Sequence, residues 1–158
     1  MLYLDASALV KRYVRENGSD ALQQRLEMRA SKERLFTSRI TYAEIHTVLG
    51  RKLREGSVSR QDFSAMREKF HQDLLDAVDL LELSSATLGP LPQLVVEHPL
   101  KTNDAVHLSA ALWLRDAAFL GLEDFADERG LEFVVCDRQL ERAARHCGLT
   151  VYNPEKLS

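Results

Sequence analysis

Asp5 follows directly on an apolar run at the start of the chain, and this junction constrains the fold more than any other feature. Leu2–Leu4 has the composition of a short buried strand, and small residues lead from Asp5 straight into a stretch with helical character. A carboxylate at such a junction lies at the carboxyl edge of a sheet, where open α/β folds bind their ligands. The junction therefore predicts an α/β fold with Asp5 at its ligand-binding edge.

Strands and helices alternate along the rest of the chain. Further strands are predicted at 35–38, 78–83, 133–136 and 151–152, and helices at 8–15, 19–30, 41–55, 59–77, 91–97, 103–115 and 139–146. Ser19 and Ser59 are predicted to be helix N-caps, and Thr41–Glu44 has the pattern of a capping box. This alternation favours a three-layer α/β/α sandwich with a mainly parallel sheet, formed by a single domain over residues 1–158.

The charge and the cysteines narrow the choice of function and compartment. The formal net charge is −3 and the pI is about 6.0, whereas a domain that binds nucleic acid by bulk charge is usually basic. Binding of nucleic acid here would need a local basic patch or bridging metal ions. Because the sequence has no long apolar run and no charged leader, we expect neither a membrane helix nor a signal peptide. Cys136 and Cys147 match no metal or disulfide pattern, which favours a reducing cytoplasm.

Four acidic residues fall at comparable places in the predicted elements: Asp5, Glu44, Asp104 and Asp137. Asp5 and Asp137 each end a strand and begin a helix, and the other two lie in the first turn of a helix. Because parallel strands all end at one edge of the sheet, the four carboxylates are predicted to meet in one pocket. They would repel one another there, and a bound Mg²⁺ or Mn²⁺ would remove that penalty.

Each of these carboxylates also has an ordinary structural interpretation when taken alone. Asp5 and Asp137 have the position of N-caps, and Glu44 that of the return partner in a capping box with Thr41. Asp104 has the position of a carboxylate that stabilises the positive end of a helix dipole. Capping is the commonest use of a single acidic residue at a helix start, so the metal hypothesis rests on the set of four.

The segments around the four acidic residues resemble the PIN-domain family, and more narrowly the VapC toxins of bacterial and archaeal toxin–antitoxin pairs. The resemblance runs essentially end to end and rests on four segments, Leu4–Leu9, Thr41–Glu44, Asp104–Leu112 and Val134–Leu140. It implies a metal-dependent endoribonuclease on a parallel α/β/α sandwich, which forms a homodimer and is inhibited by a small antitoxin protein. The four acidic residues match the family's acidic positions, and Ser7 matches a hydroxyl residue that lies beside the metal in that family.

Two features depart from the family pattern. Many members carry a threonine two residues before the last acidic residue, where this chain has Val135. A second-shell hydroxyl is therefore not expected at that position. The segment from Asp116 to Gly130 is longer than the usual link to the following strand, and we predict that it extends the preceding helix or forms a separate surface excursion that contacts a partner.

The predicted catalytic and metal-binding residues are thus Asp5, Glu44, Asp104 and Asp137, with Mg²⁺ or Mn²⁺ to polarise the phosphate and activate a water. His107 has apolar neighbours and is interpreted as a packed or hydrogen-bonded structural histidine. Basic side chains are candidates for contacts with RNA phosphates, each with a solvated helix face as the alternative. These candidates are Lys11, Arg12, Arg15, Arg51, Lys52, Arg54 and Arg138.

Three other functions compete with the nuclease hypothesis. A phosphatase that uses Asp5 as its nucleophile would carry a second aspartate two residues later, where this chain has Ser7. A PIN-like nucleic-acid-binding or assembly module with little catalytic activity would be expected to lack an acidic ligand, and all four are present. A signalling receiver domain is disfavoured because its acidic cluster and lysine placement are not found.

Overall fold

A computed structural model describes residues 1–29, 33–122 and 130–156. Within these ranges five parallel strands form one sheet in the order β3-β2-β1-β4-β5. The strands are β1 (Leu2–Leu4), β2 (Leu35–Ser38), β3 (Val78–Leu81), β4 (Glu132–Val134) and β5 (Thr150–Tyr152). The prediction of a parallel α/β sheet is confirmed, and β1, which precedes Asp5, is the central strand.

Helices cover both faces of the sheet and complete the predicted three layers. They are α1 (Ala6–Leu9), continued by a 3₁₀ turn over Val10–Arg12, α2 (Ser19–Glu27), α3 (Ile40–Arg54), α4 (Arg60–Asp76), α5 (Leu91–Glu97), α6 (Thr102–Phe119) and α7 (Arg138–His146). Successive residues of β1 face opposite sides, so Leu2 and Leu4 join one core and Tyr3 joins the other. The first core contains residues of α1 to α4, and the second contains residues of α5 to α7.

The predicted N-cap of α2 is wrong by one residue. Ser19 is the first helical residue, and Gly18 holds the cap position with a left-handed φ of 83°. The hydroxyl of Ser19 instead accepts from the amide of Glu16 and donates to the carbonyl of Val14. The predicted cap of α4 is confirmed, because Ser59 and Asp62 form a reciprocal capping box.

The predicted capping box of α3 is also wrong. This helix begins at Ile40, with Arg39 as its N-cap and no side-chain cap. The hydroxyl of Thr41 is buried and shares a 2.7 Å hydrogen bond with the hydroxyl of Thr37 on β2. Because the local cap is absent, the carboxylate of Glu44 is available for partners elsewhere in the fold.

Other element boundaries shift by a few residues. The strand β3 ends at Leu81 rather than Leu83, and α6 continues past Arg115 to Phe119. The first part of the 116–130 segment therefore extends that helix, and residues 123–129 of it lie outside the described residues. None of the helices within the described ranges is long and apolar enough to cross a membrane.

Candidate active site

Asp5 is buried at the point where the central strand turns into α1. It is the N-cap of that helix, since its Oδ1 accepts the amide of Ala8 at 2.8 Å. The hydroxyl of Ser7 lies 2.8 and 2.7 Å from the two carboxylate oxygens of Asp5. The same hydroxyl accepts the amide of Cys136 at 3.1 Å, which joins the turn after β1 to the turn after β4.

The carboxylate of Asp5 is poorly solvated for a charged group, with 4% of the residue exposed. The pKa of Asp5 is raised to about 6, because burial and the negative charge of Glu44 outweigh the lowering effects of His107, Ser7 and the Ala8 amide. The hydrogen bonds therefore compensate only part of the cost of burying this charge. A cation placed against Asp5 would compensate the remainder.

Glu44 is held by two side chains of α6. Its Oε1 accepts the amide of Asn103 at 2.9 Å, and its Oε2 lies 2.8 Å from Nε2 of His107. Burial by itself would raise the pKa of Glu44, but the hydrogen bond and electrostatic effect of His107 and the hydrogen bond from Asn103 lower it below its usual value. Both oxygens are thus oriented, and the first half of α3 is tied to the start of α6.

His107 is 1% exposed and connects Glu44 to the central strand. Its Nδ1 lies 3.0 Å from the hydroxyl of Tyr3, which donates to Nδ1 when the ring is neutral and Nε2 carries the proton. The interpretation of His107 as a buried, hydrogen-bonded histidine is confirmed. Its partner Glu44 is a candidate site residue, however, and this contact was not predicted from the sequence. The spacing of four between Asn103 and His107, which places both on one face of α6, is the signal that would have found it.

Asp104 and Asp137 lie at the neighbouring strand end. Asp104 is half-buried, and its pKa is raised by burial, by Asp137 and by Glu44, with Lys101 and His107 acting in the opposite direction. Asp137 is the N-cap of α7, because its Oδ1 accepts the amides of Gln139 at 2.8 Å and Leu140 at 2.9 Å. The ordinary N-cap interpretation is therefore correct for both Asp5 and Asp137.

Electrostatic interactions link the four carboxylates into one acidic group at the carboxyl edge of the sheet, and we call this group the acidic edge. Glu44 acts on both Asp5 and Asp104, and Asp137 acts on Asp104. Among the described residues, no three His, Cys, Asp or Glu side chains are grouped closely enough to share one metal ion. The prediction that all four bind metal thus stays a prediction. The donor set still suits Mg²⁺, which is usually held by one or two carboxylates and several waters.

Two of the predicted RNA-binding residues are committed to ion pairs inside the fold. Lys11 is 5% exposed, and its ammonium group lies 3.0 Å from Glu16 and 2.8 Å from Glu155. The guanidinium of Arg12 forms two hydrogen bonds with Asp73, at 3.0 and 2.8 Å. Their charges are neutralised within the protein, so the prediction that they contact RNA is not supported by the structure.

The other cations differ in their distance from the carboxylates. Arg15 is exposed and pairs with Asp20 on the surface at 2.9 Å. Arg51, Lys52 and Arg54 lie in the last turn of α3, at least about 10 Å along the helix axis from Glu44. Arg138 is exposed and directly follows Asp137 in the chain. Lys101, which the sequence argument did not select, is exposed three residues before Asp104.

Two ribonucleases of Mycobacterium tuberculosis are similar to this chain along almost its full length. Ribonuclease VapC45 is 28% identical over 151 residues, which cover 96% of this chain and 94% of that protein. Ribonuclease VapC49 matches with the same identity and coverage. The alignment leaves little of either protein outside the comparison.

Solved structures share the fold. FitAcB from Neisseria gonorrhoeae has a TM-score of 0.69 at 16% identity and covers 99% of this chain and 100% of its own. VapBC2 from Rickettsia felis, bound to a DNA fragment from its promoter, has a TM-score of 0.63 at 16% identity and covers 97% and 98%. The family model for the PIN domain matches residues 2–146, a range that includes all four carboxylates. The chain belongs to the PIN-domain family.

Proposed function

We propose that this protein is a metal-dependent endoribonuclease and the toxin of a toxin–antitoxin pair, which hydrolyses RNA phosphodiester bonds with Mg²⁺ or Mn²⁺. The observation that supports it most is the acidic edge itself, where the buried carboxylate of Asp5 interacts electrostatically with Glu44, in a chain similar to two ribonucleases. The likeness to VapBC2 and to FitAB assemblies supports a small antitoxin protein as a partner.

The metal would be bound directly by one or two carboxylates and through its waters by the others. Asp5, Glu44 and Asp104 would bind the ion or its waters, and Asp137 would shape the same edge or a second, weaker site. When bound, the ion supplies polarisation of the phosphate, a more acidic water and stabilisation of the leaving oxygen. Carboxylates are hard oxygen donors, which Mg²⁺ and Mn²⁺ prefer over softer metals.

The remaining polar residues would hold these carboxylates in place. Ser7 donates to Asp5, and Asn103 and His107 each take one oxygen of Glu44. Tyr3 in turn orients the ring of His107. Because these donors come from ordered strands and helices, the charges are positioned before substrate arrives, and little reorganisation is needed during reaction.

Cleavage of RNA by the purified protein tests the proposal. A mixture of unstructured and hairpin RNAs is incubated with Mg²⁺ or Mn²⁺ and with EDTA. We expect metal-dependent cuts with the wild type and none with Asp5→Asn or Asp104→Asn. Asp20→Asn is the matched control, because this carboxylate is exposed and pairs with Arg15 rather than with any of the four candidate site residues. Growth arrest on expression, relieved by Asp5→Asn, would test the toxin role.

The alternative of a PIN-like binding or assembly module gives a different result. In that case the wild type would bind RNA or Mg²⁺ and cut none of the substrates under any metal condition. That outcome would refute the nuclease proposal and leave membership of the family intact.

We also propose that the protein acts as a homodimer in the cytoplasm, with one domain over residues 1–158. The end of α6 supports an interface, since Phe119 is 89% and Leu120 72% exposed. Analytical ultracentrifugation of the wild type and of Phe119→Ser would test it. We expect the wild type to sediment as a dimer and the variant to shift toward monomer.

A further inference from the structure

A groove with a volume of about 590 Å³ lies beside the acidic edge. One wall is formed by α7, and the other by the segment that links α5 to α6. We call it the α7 groove and define it by His98, Leu100, Arg138, Arg142 and His146. Its volume is within the range of sites that bind small organic ligands, so it can receive a nucleotide or two.

Both walls of the groove begin at a candidate site carboxylate. On one wall Arg138 directly follows Asp137, and on the other the linking segment runs through Lys101 to Asp104. The side chain of Gln139 on α7 donates to the carbonyl of Pro99 on the linking segment, and Asp137 acts electrostatically on Asp104, so the two walls approach each other beside these carboxylates. A chain that leaves the acidic edge in this direction therefore enters the α7 groove.

Two arginines give the groove free positive charge. Arg138 and Arg142 are four residues apart on α7, which places them on one face about 6 Å apart along the helix. Within the described part of the chain the side chain of neither arginine makes a hydrogen bond or an ion pair. Arg145, on another face of α7, is bound to Glu141 and to the carbonyl of Val151.

The rest of the lining suits the faces of nucleic-acid bases. The rings of His98 and His146 are 5.1 Å apart in an edge-to-face arrangement, and Leu100 adds apolar surface. Histidine rings are among the side chains on which unpaired bases stack. Glu97, the acidic member of the lining, accepts a hydrogen bond from Gln93 and is not paired with either arginine.

We propose that the α7 groove binds the single-stranded RNA segment on one side of the scissile bond. Arg138 and Arg142 contact successive phosphates, and His98 and His146 contact the bases between them. This assignment rests on the proposed nuclease function for the identity of the ligand. The α7 groove selects unpaired RNA, because a concave site with stacking surfaces excludes a rigid duplex.

Binding measured apart from cleavage tests the groove. In the Asp5→Asn protein, fluorescence anisotropy of a labelled single-stranded RNA is recorded over a range of salt concentrations. We expect Arg142→Ala to weaken binding about tenfold and to reduce the slope of log K against log salt by about 0.7, as expected for one phosphate contact to a single strand. His146→Ala should weaken binding without changing the slope, since stacking involves no counterion release.

Arg60→Ala is the matched control. This arginine is exposed at the start of α4, which packs beside β3 at the opposite edge of the sheet from β5 and α7. We expect the RNA affinity and the salt slope of the Arg60→Ala variant to equal those of the Asp5→Asn parent protein. In the active protein, Arg142→Ala should raise KM with kcat little changed, because the contact is made in both ground and transition states.

The possible failures are distinguishable. Unchanged affinity and slope in Arg142→Ala would overturn the groove assignment even if the protein cleaves RNA normally. Loss of antitoxin binding in Arg142→Ala, with RNA binding unchanged, would overturn it in favour of a protein segment in the groove. If the wild type never cleaves RNA but Arg142→Ala and His146→Ala weaken RNA binding as expected, the nuclease proposal is refuted and the groove assignment is supported.

Discussion

Replacing Asp5 with asparagine should stabilise the metal-free protein at neutral pH while it abolishes cleavage. The reason is the burial that raises the pKa of Asp5 from its ordinary value of 3.8 to about 6. A raised carboxylate pKa means that the folded state disfavours the charged form relative to the unfolded chain. Asparagine has nearly the same shape, carries no charge and keeps an acceptor for the amide of Ala8.

The magnitude follows from the gap between the two pKa values of Asp5. Each pKa unit corresponds to about 1.36 kcal/mol, so the gap between 3.8 and about 6 amounts to about 3 kcal/mol of folding free energy. Below about pH 4 the carboxyl is protonated in both states and contributes no penalty. As the pH rises from about 4 to 6 the unfolded chain ionises first, the wild type loses this stability, and the loss is complete above about pH 6.

Urea unfolding followed by circular dichroism measures this difference. Wild type and Asp5→Asn are unfolded at pH 4, 6 and 8 in EDTA. We expect similar free energies of unfolding at pH 4 and an advantage of about 3 kcal/mol for the variant at pH 8. Added Mg²⁺ should stabilise the wild type more than the variant, because a ligand of the folded state raises its stability by mass action.

Asp20→Asn serves as the control for the asparagine substitution. Its exposed pair with Arg15 contributes at most about 1 kcal/mol, so its removal should leave stability unchanged or slightly lower at pH 8. If Asp5→Asn proved less stable than the wild type in EDTA at pH 8, the carboxylate would not be a destabilising charge. The electrostatic reason for expecting a cation at this edge would then be lost.

Substitutions at four further positions test the supporting structure. Tyr3→Phe leaves Nδ1 of the buried His107 without its hydrogen-bond partner. It should lower the free energy of unfolding by about 1–3 kcal/mol, measured by thermal unfolding, and lower kcat more than it changes KM. Gly18→Ala should lower the free energy of unfolding by more than about 1 kcal/mol, because φ is 83° and the new Cβ would lie 2.9 Å from the carbonyl oxygen of Pro154. Gly56→Ala should lower it less, because Gly56 also has a positive φ but the space around its Cβ position is open. Asp137→Ala should lose about 1 kcal/mol as a helix cap, and Asp137→Asn should retain it.

Much of the fold is predictable from local patterns in the sequence. Leu2–Leu4 and Leu35–Ser38 are strands with the expected bounds, because short apolar runs next to helical patterns suit a buried parallel sheet. Errors occur where a tertiary contact competes with a local motif. Thr41 and Glu44 match a capping box, but the Thr41 hydroxyl bonds Thr37 on the neighbouring strand, and the helix begins earlier.

The basic residues show the limit of this reasoning more sharply. From the sequence, Lys11 and Arg12 are expected to be solvent-facing cations that follow the first strand. Lys11 pairs with the nearby Glu16, but its second partner is Glu155 and the partner of Arg12 is Asp73, which are 144 and 61 residues away in the chain. Only the packing of distant segments decides which arginines and lysines remain free, as Arg138 and Arg142 do among the described residues.

His107 explains why the sequence could place the carboxylates at one edge and yet not describe how they are held. Its apolar neighbours correctly indicate burial, and a buried imidazole requires partners for both nitrogens. Those partners are Tyr3 on the central strand and Glu44 on α3, so one core residue connects the sheet to the candidate site. The orientation of Glu44 therefore depends on the packing of α6 against the sheet. A change that loosens this packing should impair the site even where no carboxylate is altered, because the hydrogen bonds that orient Glu44 belong to the core.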